Sequence, residues 1–393
     1  MILLKKIFLE NSTQKNNQII MKGKKIKKIG VITSELNLNH LSYYHALSHL
    51  FDRHEVTFYS YRAVKDSMNC KVNNWILRRE KESSINYFFR IRKKLSEQDL
   101  IIAEEPFGGT ILILFLSLFN LRKKTILTIH NVNKWFLPKM SFSLKMIFYT
   151  LVRNKIKNNV SAYIVISPNL KKYILKSGLT QKPVYFLPFS IPTSDNKLFK
   201  ENDGVFRFCI PGSVDLKRRD YSTVIKAFSK ALSGGSLNLE LYLLGKANSE
   251  KPEVVDLLNQ CDSINKIFKK KIFYWTNYVP ENEYERVMQI ADSFILNINS
   301  FYQRSTSIEI YGITKETGIL YAALNYQKRL IATYTYTLPY ELMNNSQTYM
   351  DVNELTELLV TFENLQHEDK LVNDIDSFNK VYKGDFNKLI SSC

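Results

Sequence analysis

From about position 26 onward, compact apolar runs alternate with longer stretches whose apolar residues fall at helical spacing. Ile26 to Thr33 suits a buried strand, and Val56 to Tyr59, Leu100 to Ala103, Thr125 to Ile129, Ala162 to Ile166 and Val184 to Leu187 have the same character. Between them, Leu41 to Phe51 and Ser141 to Ile156 repeat apolar residues every three or four positions, as one face of a helix does. Strands alternating with helices predict an α/β fold with a mainly parallel sheet covered on both faces. The polar stretch Pro192 to Asp203 breaks the rhythm and predicts a linker. A second series follows: strands at Phe206 to Ile210, Leu239 to Leu244, Ile272 to Trp275, Ser293 to Asn297 and Arg329 to Ala332. Helices are predicted at Ser222 to Ala231, Glu281 to Ile290, Thr317 to Tyr326 and Leu355 to Leu365.

These patterns predict a basic extension at 1–24, a doubly wound Rossmann-like domain at 25–192, a linker at 193–204 and a second such domain at 205–370. The final segment, 371–393, is expected to cross back onto the first domain. A length of 393 residues with 45% apolar content is ample for two cores. The four cysteines, Cys70, Cys209, Cys261 and Cys393, are far apart and form no paired short spacing, which argues against both a disulfide framework and a zinc site and for a reducing compartment. The apolar run Ile2 to Leu4 is too short for a secretory signal, and Thr110 to Leu121, at about a dozen residues, is short of the roughly 20 that span a bilayer.

A formal charge of +18 draws a protein to anionic lipid, nucleic acid or phosphorylated ligands. The basic residues are dispersed and carry no nucleic-acid-binding signature, so no nucleic-acid partner is expected. Ile111 to Phe119 with Arg122, Lys123 and Lys124, and Phe142 to Leu151 with Lys145, Arg153, Lys155 and Lys157, combine apolar and basic groups as membrane-surface elements do. Core-facing helices with solvated lysines have the same composition.

In open α/β sheets, ligands bind beyond the carboxyl ends of the strands. Phe208 to Tyr221 places Gly212 and Ser213 just after a predicted strand and Lys217, Arg218 and Arg219 just before a helix. Gly212 lets a diphosphate approach the backbone, and the three cations suit the charge on a nucleoside-diphosphate leaving group. A solvated basic loop reads the same way from composition alone.

This segment resembles the start of the donor-binding domain in bacterial GT-B glycosyltransferases, group 1 or family 4-like, of surface-polysaccharide biosynthesis. Their "R-D-Y…A-F" pattern is matched by Arg219-Asp220-Tyr221 and Ala227-Phe228. Lys315 to Leu324, then Lys328 to Ala332, is similar to the family's polar loop, helix start and "G-K-P-V-I" strand. The resemblance implies that the amides of Thr317, Gly318 and Ile319 hold the donor diphosphate while Glu316 contacts the sugar or ribose; Glu316 is equally suited to capping the helix. Tyr278 and Val279, with Pro280 and Glu283, resemble the loop bordering the nucleotide base, and Leu241 to Gly245 and Ala291-Asp292 match further family elements. Thr128 to Val132 looks like the family's "T-x-H-N" element, which makes His130 a catalytic candidate facing the cleft; an isolated histidine is as often structural. Ser167 is expected to cap a helix. Glu104, Glu105 and the Gly108-Gly109 turn follow another strand end, with Glu105 the candidate acceptor base in an inverting reaction; solvated loop residues read the same way.

The chain departs from the family pattern at two places. Thr314 and Ala322 stand where many retaining members carry a glutamate pair, and Gln327-Lys328-Arg329 replaces the Gly-Lys-Pro turn. The resemblance implies two Rossmann-like domains facing across a cleft and transfer of a sugar from a nucleoside-diphosphate donor to a lipid-linked or oligosaccharide acceptor. It further implies no cofactor beyond that co-substrate, no metal, and retention in preference to inversion. Together with the charge, it implies a peripheral site on an anionic membrane surface, the inner face of the plasma membrane. A non-catalytic glycan- or partner-binding subunit that has lost the acidic pair is the alternative.

Overall fold

The structure, a computed structural model, describes residues 26–33, 40–68, 72, 74–105, 114, 124–138, 144–191, 203–235, 238–304, 307–344, 346–362 and 368–392. The expected extension at 1–24, nearly all of the linker, the Gly108-Gly109 turn and Ile111 to Phe119, save Leu114, lie outside these residues, as do Arg122 and Lys123.

The first sheet comprises β1 (Lys28–Ile32), β2 (Glu55–Ser60), β3 (Asn74–Leu77), β4 (Leu100–Ala103), β5 (Lys124–Ile129), β6 (Ala162–Val165) and β7 (Val184–Phe186). All are parallel, in the order β3-β2-β1-β4-β5-β6-β7. Helices α1 (Leu41–Leu50), α2 (Arg62–Ser67), α3 (Ser84–Ser96), α4 (Val132–Phe136), α5 (Leu144–Asn159) and α6 (Pro168–Lys176) connect them. All residues of β4 and β6 are buried, which is why these strands read as unbroken apolar runs.

The second sheet contains β8 (Val205–Pro211), β9 (Asn238–Lys246), β10 (Ile272–Trp275) and β11 (Ser293–Leu296). A two-stranded antiparallel excursion follows, β12 (Phe301–Arg304) with β13 (Ser307–Ile310), before β14 (Arg329–Thr333) and β15 (Ser346–Tyr349) complete the sheet. Its order is β10-β9-β8-β11-β14-β15, all parallel. Its helices are α7 (Tyr221–Ser233), α8 (Pro252–Phe268), α9 (Glu281–Ile290), α10 (Gly318–Asn325) and α11 (Val352–Val360). Asp220 caps α7 by accepting from Thr223 N at 3.1 Å, and Asp351 caps α11 from Asn353 N and Glu354 N. Such caps satisfy amides that the first helical turn leaves open.

One face of the second sheet shares a continuous apolar core with the first domain, while the other face packs against α7, α8 and α11 in a separate core. The last helix, α12 (Glu368–Ser392), lies against β7 and the short helical turn Tyr340–Leu342. Its buried Asp385 accepts from Phe186 N at 2.8 Å and pairs with Lys171 Nζ at 2.6 Å, and Phe378 packs edge-on against Phe186. This helix therefore extends the first domain's core although it follows the second in sequence.

Candidate active site

Both sheets reverse strand order at one point: between β1 and β4 in the first, between β8 and β11 in the second. Connections leaving neighbouring strands there diverge to opposite faces and open a crevice. The loops after β5, β6 and β7 meet the segment from β13 to α10, so the two sets of strand ends lie against each other. Val132 N donates to Thr314 O at 2.9 Å, Lys315 Nζ to Asn131 Oδ1 at 2.6 Å, and Asn169 Nδ2 to both Gly312 O and Thr337 O at 2.9 Å. Phe189, just after β7, packs on Tyr321 of α10 with ring centroids 5.7 Å apart. Glu309, fully buried, accepts from Asn133 N at 3.2 Å and Lys134 N at 2.7 Å, capping α4 across the interface; its burial raises its pKa. Nothing in the local sequence around Glu309 signals this long-range cap.

At the second switch point, β8 ends in a turn at Gly212 with φ of +96°, a conformation L side chains rarely adopt. Gly245, at the end of β9, lets that turn come close: a Cβ there would stand 2.3 Å from Gly212 O. Ser213 and Lys217 are exposed, and Arg218 pairs with Asp215 at 2.7 Å beside the Tyr311 hydroxyl. Arg219 differs from its expected role. Its guanidinium is buried, donating to Pro211 O at 2.9 Å and Gly212 O at 3.4 Å, so it braces the turn from beneath and the outward cations are Lys217 and Arg218. Tyr278 stands exposed with Lys246 Nζ 5.3 Å from its ring, while Val279 packs into the core.

The start of α10 also departs from expectation. Of the three amides proposed for a diphosphate, that of Thr317 donates to Glu316 Oε1 at 2.9 Å and that of Ile319 to Thr317 Oγ1 at 3.4 Å. The third, Gly318 N, belongs to an exposed glycine at the first position of α10. Glu316 is enclosed, accepting from Tyr336 OH as well, so its carboxylate is not open to a sugar, and the residue that caps α10 is Thr317, not Glu316. Thr314 serves the interface: its hydroxyl accepts from Ile310 N at 2.7 Å and its carbonyl from Val132 N.

In the first domain, the acceptor base expected at Glu105 is already engaged. Its carboxylate accepts from His130 N at 3.1 Å, Asn131 Nδ2 at 3.0 Å and the Lys134 ammonium. Burial acts to raise its pKa, but Lys134, His130 and Asn131 together hold it well below the carboxylate range, leaving a weak base. Glu105 positions the loop after β5. Glu104 beside it is buried and faces two imidazoles: His40, just before α1, bonds Oε1, and His130 Nε2 stands 3.5 Å from the same oxygen. Tyr44 OH donates to Oε2. Burial acts against charge on Glu104, yet the histidines outweigh it and keep it ionised, whereas burial pushes His130 down towards the neutral form. His130 is walled by Tyr43 and Phe189, edge-on at 5.8 and 5.9 Å. Two imidazoles and a carboxylate, with ligand atoms all within 4.8 Å, form a donor set able to hold a metal ion. Residue 40 lies in a sequence stretch with no recognisable motif, so its part in the cluster was not legible.

Enclosure at Glu316 has a measurable consequence. Burial pushes its carboxyl from the ordinary 4.5 up to about 7 against the opposing hydrogen bonds from Tyr336 and Thr317. The folded chain keeps a proton that the unfolded chain releases above about pH 4.5, so stability falls as pH rises towards 7 and is level beyond it. The loss is roughly 3 kcal/mol, from 1.36 kcal/mol per pKa unit. Denaturant melts at pH 5 and pH 8 should show this drop in the parent and its near-absence in Glu316→Gln; equal pH slopes would refute the assignment.

No protein-family model matches the sequence, and comparison with curated proteins returns no match. Solved structures do match in three dimensions. HepE from Anabaena, in complex with UDP and glucose, aligns with a TM-score of 0.62 at 12% identity, over 93% of this chain and 98% of that one. A glycosyltransferase from Rickettsia africae aligns at 0.60 with 13% identity, over 93% and 97%. The lipopolysaccharide outer core galactosyltransferase WaaB, in its apo form, aligns at 0.58 with 12% identity, over 93% and 99%. Two parallel α/β domains meeting at their strand ends, alike over nearly the whole of these structures, give this chain the GT-B fold.

Proposed function

We propose that the protein is a glycosyltransferase that moves a sugar from a nucleoside-diphosphate donor to a hydroxyl of a lipid-linked or growing surface glycan. The observation that carries this reading is the Gly212 turn, brought against Gly245 at the second switch point, with Lys217 and Arg218 beside it. A backbone turn without side chains and two outward cations suit a diphosphate, and Gly318 N at the start of α10 adds a donor at the positive end of a helix. Tyr278 offers a face to the nucleotide base, and His130 is the first-domain group directed at the transferred sugar or leaving phosphate. As the anomeric carbon's bond to the diphosphate oxygen breaks, its bond to the acceptor oxygen forms and the acceptor proton passes to the departing diphosphate oxygen. Charge on the leaving diphosphate is met by the chain's own groups, without a metal ion on that side. That HepE was solved with UDP and glucose supports a uridine donor. The class of the resemblance favours retention, which the anomeric coupling in the product's NMR spectrum reads directly.

A non-catalytic binding subunit is supported by Thr314 and Ala322 in place of the glutamate pair and by the occupied amides of Thr317 and Ile319. A thermal-shift screen against UDP-, GDP- and CMP-sugars separates the readings. A donor at about 100 times its dissociation constant stabilises the fold by roughly 2.7 kcal/mol. The expected result is a shift with UDP-sugars that Arg218→Ala removes; no shift with any nucleotide, or one indifferent to the substitution, favours the binding subunit.

A membrane location is part of the proposal. No helix among the described residues is long and apolar enough to cross a bilayer. On α5, however, Leu144, Ile147, Phe148 and Leu151 are exposed along one stripe, with Lys155 also exposed, while Val152 and Ile156 face the core. An amphipathic helix with a second, outward apolar stripe suits the headgroup boundary of an anionic bilayer. Arg153 does not contribute as expected: it is buried, donating to Lys134 O over the Trp135 ring. Lys157 lies 5.9 Å from the Phe136 ring, and the side chain of Lys145 is outside the described set. Sedimentation with vesicles containing phosphatidylglycerol should bring down the parent chain and lose most of a Phe148→Asp, Leu151→Asp variant. Equal sedimentation of the two would exclude α5 as the contact.

A further inference from the structure

The cluster at the first switch point carries an inference that neither the fold nor the sugar-transfer reading supplies. We propose that His40, Glu104 and His130 form a binding site for one divalent transition-metal ion of the zinc class, on the acceptor side of the cleft.

The three residues come from separate elements: the entry to α1, the end of β4 and the end of β5. Their ligand atoms, Nδ1 of His40, Oε1 of Glu104 and Nε2 of His130, all lie within 4.8 Å of one another. Two imidazoles with one carboxylate is a donor set that binds Zn²⁺ and its neighbours and leaves coordination positions open. The separation of His130 Nε2 from Glu104 Oε1, 3.5 Å, is close to the ligand edge of about 3.4 Å in a tetrahedral site with bonds near 2.1 Å, whereas His40 Nδ1 bonds the same oxygen directly and has to draw back for an ion to enter between them.

An independent observation points to a missing partner. His130 is more than nine-tenths buried, and its Nε2 has no hydrogen-bond partner, since 3.5 Å to Glu104 is beyond hydrogen-bonding distance. A buried polar atom left in that state costs about 1–3 kcal/mol. A metal ion between the three ligands would satisfy it. The outer layer is also built: Tyr44 OH holds Glu104 Oε2, and the rings of Tyr43 and Phe189 fix the plane of His130. Such supports orient ligands and raise affinity. His40, with 24% of its side chain exposed, provides the approach from solvent.

Metal binding itself does not depend on the sugar-transfer reading; a role in transfer does. The ion's open position would take the place of direct contact by His130 and polarise an acceptor hydroxyl, which lowers the cost of losing its proton. This leaves the diphosphate side free of metal.

The test uses the purified full chain, stripped with a chelator and titrated without any nucleotide, so its outcome is separate from that of the donor screen. Calorimetry with Zn²⁺ should give one equivalent, and Co²⁺ should produce the visible absorption of a low-symmetry four- or five-coordinate site. Removing an outer-layer partner typically lowers metal affinity 10- to 100-fold, so His40→Ala and Glu104→Gln should each lower it by about 100-fold or more. His40→Ala alters a partly exposed side chain, and a cooperative thermal melt establishes that the variant is folded. The control is His45→Ala, His49→Ala on another face of α1, where both residues line a polar pocket with Ser190 and Asn325. That pair should leave the equivalent and its affinity unchanged. No stoichiometric binding, or binding lost in the control pair and kept in His40→Ala, would overturn the proposal; the cluster would then be a hydrogen-bonded histidine–glutamate relay.

Discussion

The relation of the two domains depends on a carboxylate from one placed at a helix start of the other. Glu309, at the end of β13, is fully buried and accepts from the first two free amides of α4. Burial alone would make it an expensive group, but α4 presents amides that no intrahelical carbonyl can reach, and each partner satisfies the other. Around this contact, Asn133 Nδ2 donates to Ile308 O and Asn169 bridges Gly312 and Thr337. The hairpin of β12 and β13 is thus the arm by which the second domain holds the strand ends of the first. Everything attributed to a cleft follows from that grip, because it sets α10 opposite the loop after β5.

The parallel strands were legible because burial on both faces leaves an unbroken apolar run. Where a strand lies at an edge, that signal fades: β15 reads Ser-Gln-Thr-Tyr and β3 begins at a polar, exposed asparagine, and neither was expected. The β12–β13 hairpin was missed for a related reason, since it packs against the other domain and its burial is decided by a surface remote in sequence. At the candidate site, Gly212, Lys217 and Arg218 stand out in the sequence because a turn, a strand end and a helix start lie within ten residues of one another. The inward direction of Arg219 could not be read, since a guanidinium beneath a turn and one above it have the same neighbours in sequence. His40 and Gly245 gain their meaning only from partners about 64 and 33 positions away.

Charge is divided between the two sides of the crevice. On the side of the second domain, cations stand outward at Lys217 and Arg218 while Arg219 is spent on carbonyl oxygens. On the side of the first domain, two adjacent carboxylates are both kept ionised but by different means, Glu105 by an ammonium and amides, Glu104 by imidazoles. Adjacent anions repel, so each must have its own compensating set, and their side chains must be held apart. The loop after β5 does this by sending the His130 amide and Asn131 to Glu105 and the His130 ring to Glu104.

Glu316 bears on how a carboxylate can sit beside the helix start proposed to meet a diphosphate. An ionised group at the start of α10 would occupy the helix's positive end and repel an incoming anion. Enclosed by Tyr336 and its own helix start, Glu316 is instead half-protonated near neutrality, so much of the repulsion is removed. A bound diphosphate would raise its proton affinity further, since the neutral acid is the form that tolerates a neighbouring anion. If the proposed donor binds at this helix, its binding and proton uptake at Glu316 are linked, and each must strengthen the other by the same factor.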